Sequence, residues 1–499
     1  TGKDSLSMKQ KYPDGDVLAP GTVIISAAGQ CDDVKNIITP VATPSGGDLY
    51  YLDFSQDEFH LGGSSFAQTL DKIGNKTPVV KDAAYFKTAF NTLQDHIKKG
   101  AVTAGHDIGS GGLVTTLLEM CFPSTAVGME IDFSALTEKD LIKILFSEKV
   151  GVVLQSKENL TESFAKAGIN VVAIGKVNSR SELTIGDLQL SLPAMRQYWM
   201  ATSTKLEAEQ TTPKLAAIRG SNVVAQPLKF NFPHAFDGKK PAKKKTTIKA
   251  AVIREKGSNS EREMAYMMDL SGFEVRDVHM TDLIEGRETL EDIQLLVAVG
   301  GFSNSDVLGS AKGWAGAFKY NPKAKAAIEN FFQREDTLSL GVCNGCQLFV
   351  ELGLLTPAHQ ELPKMLHNDS GKFECIFTAV TIQASKAIML QGLEGSTLGI
   401  WAAHGEGKFS FPQAEKAYQI PAKYLYPDYP SNPNGSDYNA AMLASEDGRH
   451  LVMMPHLERS TFPWNWGHYP DDRNDTVSPW TMVFENAYNW LAKKNKKIF

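Results

Sequence analysis

The run Leu338-Ser339-Leu340-Gly341-Val342-Cys343-Asn344-Gly345-Cys346-Gln347 constrains this chain more than any other stretch. An apolar segment of strand length meets a cysteine, and residues 347–352 continue at once with helical character. A strand that breaks straight into a helix presents the junction residue on a sharp turn. This is the strand–nucleophile–helix elbow, here with Cys in place of Ser. Gly341 and Gly345 supply the small residues that the turn and the close approach of strand and helix require. The unsatisfied amides of the following helix favour a thiolate over a thiol at Cys343. The amide of Asn344 is placed to stabilise an oxyanion.

The flanking sequence supports a sheet around this elbow. Residues 250–253, 273–278 and 295–299 are strand-like, Ser258-Asn259-Ser260-Glu261 supplies capping residues for a helix to about 271, and 322–334 is helical. Strands alternating with helices imply a parallel sheet covered on both faces, so 248–499 is expected to be one α/β domain. Val299-Gly300-Gly301-Phe302 is a second strand running into a glycine turn, and Gly301 offers a second oxyanion amide.

Cys343 alone remains open to other readings: a buried structural cysteine, or one half of a redox or zinc Cys343-x-x-Cys346 site. A second string favours the nucleophile. Leu451-Val452-Met453-Met454-Pro455-His456-Leu457-Glu458 puts a His-x-Glu turn directly after an apolar strand. Two residues apart in extended backbone, His456 and Glu458 are expected to project to one side. A carboxylate beside an imidazole fixes its tautomer and raises its basicity, as a cysteine nucleophile needs.

Upstream, Asp237-Gly238-Lys239-Lys240-Pro241-Ala242-Lys243-Lys244-Lys245 has no apolar residue larger than Ala and reads as a solvated linker over 237–247. Before it, helices are expected at 82–99, 112–121, 136–146, 159–167 and 193–208, with strands at 102–106, 151–155, 171–174 and near 183–191. That mixture suggests an α+β domain over 76–236. Residues 1–75 are rich in Gly, Pro and Ser, with strands at 22–27 and 48–54, and are expected to be a separate partial subdomain.

The balance of 51 Lys+Arg against 57 Asp+Glu gives a net charge of −6, which provides no basic footprint for nucleic acid. No apolar run approaches the ~18 residues of a membrane helix. Five cysteines in so long a chain argue against a disulfide scaffold and for a reducing, cytoplasmic setting.

With these residues in hand, the C-terminal domain resembles the class I glutamine amidotransferases, which fold as a flavodoxin-like three-layer parallel sheet. The likeness is narrower than that class. Gly341-Val342-Cys343-Asn344-Gly345-Cys346-Gln347, Gly300-Gly301-Phe302-Ser303, Ala403-His404-Gly405-Glu406-Gly407, Asn432-Pro433-Asn434-Gly435-Ser436 and Met454-Pro455-His456 resemble the glutaminase domain of the phosphoribosylformylglycinamidine synthase family. The resemblance implies Cys343 as nucleophile, His456 as general base and Glu458 as its orienter. Gly2-Lys3-Asp4-Ser5-x-Ser7-Met8, Leu61-Gly62-Gly63-Ser64 and His106-Asp107-Ile108-Gly109-Ser110-Gly111-Gly112 resemble the second half of the family's synthetase, which is like aminoimidazole ribonucleotide synthetase.

By the same resemblance Asp107 is a candidate magnesium ligand and Gly109 part of a nucleotide site, although the usual family string has Ser-Asp where this chain has Gly109-Ser110. The complete enzyme is implied to be a carbon–nitrogen ligase of purine biosynthesis. It uses ATP and Mg²⁺ to convert formylglycinamide ribonucleotide and glutamine to formylglycinamidine ribonucleotide. The chain reads as the C-terminal portion of the large single-chain form. Its partners would be those small molecules and the missing N-terminal half, and its own ATP and metal site would be incomplete. The alternative is a stand-alone cysteine hydrolase of the same α/β class with an appended binding domain.

Overall fold

The computed structural model describes residues 2–5, 9–18, 22–33, 36–222, 225–242 and 248–495. Ser7 and Met8 of the first synthetase-like string, and residues 243–247 of the lysine-rich stretch, lie outside them. Two compact units divide the chain, Thr1–Tyr198 and Trp199–Phe499.

In the first unit a seven-stranded sheet is built from β1 (Asp48–Asp53), β2 (Val102–Asp107), β3 (Gly128–Ile131), β4 (Gly151–Ser156), β5 (Val171–Asn178), β6 (Glu182–Ile185) and β7 (Leu188–Ser191). Their order is β7-β6-β3-β5-β1-β4-β2, with β3 and β6 parallel and every other pair antiparallel. The apolar run Leu49-Tyr50-Tyr51-Leu52 explains why β1 lies inside: both its faces are buried. Leu49 and Tyr51 join a core with Leu113, Leu117 and Met120 of α2 (Gly112–Cys121), while Tyr50 and Leu52 join another with Ala89 and Leu93 of α1 (Ala83–Lys98).

This placement corrects the expected boundary at 75/76. Residues 48–53 pair with β4 and β5 inside the sheet of the following segment, so they are not a separate subdomain. Asp82 caps α1 by accepting from the Ala84 and Tyr85 amides, and Gly100 follows its end at φ 72°. The helix expected over 136–146 is shorter, α3 (Leu141–Phe146), because the Asp140 carboxylate caps it through the Ile142 and Lys143 amides. α4 (Leu160–Lys166) and α5 (Leu192–Gln210) lie where the pattern put them. The strand expected over 22–27 is Thr22–Ile25, paired with Gly2–Ser5.

The second unit carries a six-stranded sheet. It is made of β8 (Ile248–Arg254), β9 (Phe273–His279), β10 (Leu295–Ala298), β11 (Leu338–Val342), and, after a three-stranded flank, β15 (Met442–Ala444) and β16 (His450–Met453). The flank is antiparallel, β13-β12-β14, from β12 (Glu374–Ile382), β13 (Thr397–His404) and β14 (Ala422–Tyr424). In the main sheet the order is β9-β8-β10-β11-β16-β15, parallel except for the β15 edge. Two helix groups cover it: α6 (Glu261–Leu270) with α10 (Thr481–Asn495), and α7 (Lys312–Tyr320), α8 (Pro322–Gln333) and α9 (Asn344–Glu351). Ser260 precedes α6 at φ 63° without a side-chain cap, so the capping role expected of it is not filled.

Residues 199–236 belong to this unit and not to the domain before it, a second correction. Asn231 exchanges backbone hydrogen bonds with Thr397 (3.0 and 2.8 Å), and Phe230 and Phe232 pack edge-on against Trp466. Apolar residues at 230 and 232 outweigh the polar character of their neighbours. The lysine-rich segment is also less free than expected, since the Gly238 carbonyl accepts from the Thr476 amide (2.7 Å).

The elbow depends on glycine at two positions. An ideal Cβ on Gly341 would lie 2.6 Å from the Gly345 carbonyl oxygen, and one on Gly345 would lie 2.1 Å from that of Ala298. Strand and helix backbones therefore touch where α9 leaves β11. Gly345→Ala should cost about 3 kcal/mol, read as a lower urea midpoint at unchanged slope; an unaltered midpoint would contradict this packing.

Candidate active site

Cys343 sits between β11 and α9 at φ 52°, ψ −109°, a conformation that costs a non-glycine residue about 1–3 kcal/mol. It is held there by its amide, which donates to the Met453 carbonyl (2.8 Å) of β16, and by its carbonyl, which accepts from the Gln347 amide (3.0 Å). Its sulfur lies 3.8 Å from the Ala403 carbonyl oxygen.

His456 follows β16. Its amide donates to the Trp401 carbonyl (2.8 Å), which ties the turn to β13. Its Nδ1 is 2.6 Å from Glu458 Oε1, with both side chains buried. The backbone between them is not extended as the sequence suggested. Leu457 is helical (φ −70°, ψ −32°) and Glu458 opens a 3₁₀ turn, so the carboxylate reaches back by a turn and not along a strand. Burial alone would lower the His456 pKa; the Glu458 carboxylate and then Cys343 outweigh it and raise the pKa. Burial likewise opposes ionisation of Glu458, and His456 overcomes it, holding that carboxyl below its usual range.

Gly300 shows how close thiol and imidazole come. An ideal Cβ there would be 2.9 Å from His456 Cε1 and 3.3 Å from Cys343 Cβ. Among the described residues His456 Nε2 has no hydrogen bond that meets full criteria, yet Cys343 is near enough to act on the ring by charge and by hydrogen bonding. Such contacts are often long before substrate arrives. The sulfur, the ring and the acid thus meet where β11 and β16 end.

Asn344 is the first residue of α9, so its amide has no intrahelical acceptor. Its side chain accepts from the Ser303 amide (3.2 Å), linking the elbow to the Gly300-Gly301 turn. Gly301 stands at φ 122° and faces the same cavity as Cys343. That cavity, about 350 Å³, is also walled by Lys372, His404 and Glu406. Glu406 accepts from the Ser310 hydroxyl (2.6 Å), and Gln347 Nε2 donates to the Glu406 carbonyl (2.6 Å). Sequence reasoning gave these walls no role. His404 and Glu406 stand in a string that carried the family likeness, but no spacing rule links them to Cys343.

Cys346 is wholly buried on α9, and burial followed by Cys343 pushes its thiol well above the usual range. That is the environment of an inert core cysteine. Among the described residues no group of three or more His, Cys, Asp or Glu side chains gathers as metal ligands. Asp107, at the end of β2, is 83% exposed and has only His106 as an ionic neighbour (3.4 Å). The Gly111 amide before α2 donates to Glu148 (2.9 Å), so a carboxylate already occupies that helix start. Asp107 and Gly109 do not by themselves fit a magnesium–nucleotide site. Among the described residues no helix is long and apolar enough to cross a membrane.

Comparison with known proteins agrees with this architecture. Residues 47–187 match the family described as AIR synthase related protein, C-terminal domain, and residues 247–491 match the CobB/CobQ-like glutamine amidotransferase domain. The chain is an AIR synthase-related domain followed by a glutamine amidotransferase domain. Over 98% of its length the chain is 40% identical to a probable phosphoribosylformylglycinamidine synthase, chloroplastic/mitochondrial, of Arabidopsis thaliana, covering 37% of that protein. The human phosphoribosylformylglycinamidine synthase is 37% identical over 99% of the chain, which covers 40% of it. The amidotransferase-bearing chain therefore spans about two fifths of these relatives and corresponds to the C-terminal portion of such synthases. A Thermotoga maritima structure titled as PurLQS is 25% identical, with a TM-score of 0.40, over 49% of this chain and 100% of its own.

Proposed function

We propose that this chain carries the glutaminase of a phosphoribosylformylglycinamidine synthase, with Cys343, His456 and Glu458 as its triad. The observation that carries the reading is the buried His456–Glu458 pair, whose remaining ring nitrogen faces a cysteine held on a strained elbow.

The Cys343 sulfur attacks the side-chain amide carbon of glutamine, forming a C–S bond. The amides of Asn344 and Gly301 take the negative oxygen of the tetrahedral intermediate. As the C–N bond breaks, protonated His456 gives its proton to the leaving nitrogen, and ammonia departs from a glutamyl thioester. Neutral His456 then removes a proton from water, which attacks the thioester, releases glutamate and restores the sulfur and the imidazolium. Glu458 keeps Nδ1 protonated throughout.

In the complete synthase the ammonia would displace an activated oxygen of formylglycinamide ribonucleotide at the expense of ATP. No step of that half-reaction is assigned to residues of this chain. Two variants separate the triad from a redox pair, measured as glutamate release from glutamine. Cys343→Ser should lose turnover, whereas Cys346→Ser should keep it within about threefold. Equal losses in both would contradict the triad. Hydrolysis of esters or peptides in preference to glutamine would point to a hydrolase instead.

A further inference from the structure

His404 ends β13, and Asn434 lies in the Asn432-Pro433-Asn434-Gly435-Ser436 turn; both are buried. Among the described residues neither ring nitrogen of His404 has a hydrogen-bond partner, and neither has Asn434 Oδ1. Asn434 is fixed from its other end, where Nδ2 donates to the Tyr424 hydroxyl (3.0 Å). The backbone of His404 is fixed too, its carbonyl accepting from Asn368 Nδ2 (2.7 Å).

The two side chains flank one small space. An ideal Cβ on Gly407 would lie 2.4 Å from His404 Nδ1 and 2.9 Å from Asn434 Cγ, so the missing side chain of Gly407 leaves room between them. His404 also lines the cavity that holds Cys343 and His456. Burial, and then the neighbouring His456, pull its pKa down to about 3, so its ring is neutral. Three unpaired polar atoms around one buried gap call for an occupant that hydrogen-bonds, because buried polar groups in folded proteins nearly always have a partner.

We propose that His404 and Asn434 form a seat for the ammonia released at Cys343, an imidazole nitrogen and an amide oxygen accepting its N–H bonds. The inference rests on the glutaminase reading and extends it by one site. Ammonia carries three N–H donors and one lone pair, and it stays a nucleophile only while unprotonated. A charged histidine in this position would hand it a proton; a neutral one cannot. His456 has given up its own proton in breaking the C–N bond, so the departing ammonia meets no acid in the seat. Water has a similar size and hydrogen-bonding capacity, and fills the seat between turnovers.

Two measurements test the seat. A high-resolution crystal structure of the chain should show one ordered solvent molecule within hydrogen-bond distance of a His404 ring nitrogen and of Asn434 Oδ1; a dry gap would overturn the proposal. In kinetics, His404→Leu should lower glutamine turnover at least about tenfold and His404→Gln should restore part of it. Labelling of Cys343 by a glutamine-mimicking diazoketone expels nitrogen gas and no ammonia, so its rate should stay within about twofold of the parent in both variants. Labelling and turnover falling in parallel would make His404 a packing residue, and unchanged turnover would leave the seat without a role. A parent chain that the reagent does not label at Cys343 would refute the glutaminase reading itself, whatever the solvent molecule shows.

Discussion

Cys343→Ser is expected to reduce glutamate release from glutamine by about 10³-fold or more, with the folded state intact. A hydroxyl occupies the same elbow but ionises far less readily than a thiol, so the buried imidazole no longer generates a competent nucleophile. The cost falls on chemistry and not on packing, because the side chain is small and lines a cavity. The variant should therefore bind glutamine and unfold at the parent's urea midpoint. A loss of turnover that came with a lowered midpoint would shift the explanation to folding.

Glu458→Gln is the second large effect, a fall of about 10²–10⁴ in turnover. The amide is nearly isosteric but lacks the charge that sustains His456, and it can present its NH₂ group to Nδ1 and select the wrong tautomer. The same change has a pH signature. The His456 pKa is raised, so its contribution to stability is complete below the unfolded value of about 6.5 and is lost as pH rises through the raised folded value. The Glu458 pKa is lowered, so its contribution is complete above about 4.3 and is lost as pH falls through the depressed value. The pair is fully stabilising only between those limits. Glu458→Gln should flatten the unfolding free energy on both sides of this window, and an unchanged pH profile would mean that the two groups are not coupled.

Much of this was legible in the chain. The elbow announced itself because an apolar strand, two glycines and a helix start must coincide for such a turn to close, and few other sequences meet all three demands. The His-x-Glu string was read correctly as a pair but with the wrong backbone: an alternating pattern implies a strand, whereas Pro455 ends it and Leu457 turns helical. β1 was assigned to a separate piece because residues 1–75 were judged by their Gly, Pro and Ser content, and pairing with β4 and β5 is a long-range property that local composition does not encode. Phe230 and Phe232 were passed over for the same reason, their partners Trp466 and Tyr469 lying more than two hundred residues away. His404 and Asn434 stood in strings that carried the family likeness, but their importance comes from what is missing around them. Unpaired buried atoms become visible only once the surrounding backbone is in place.

The central claim is that one sulfur, at position 343, is made reactive toward glutamine by an imidazole and a carboxylate from a distant stretch of chain. Incubation with the diazoketone analogue of glutamine, followed by peptide mass mapping, addresses it directly. The account expects a single adduct on the peptide containing Cys343, formed more slowly when glutamine competes and at least about 10²-fold more slowly in His456→Ala. An adduct on Cys346 or on the exposed Cys375, or labelling indifferent to glutamine, would contradict it.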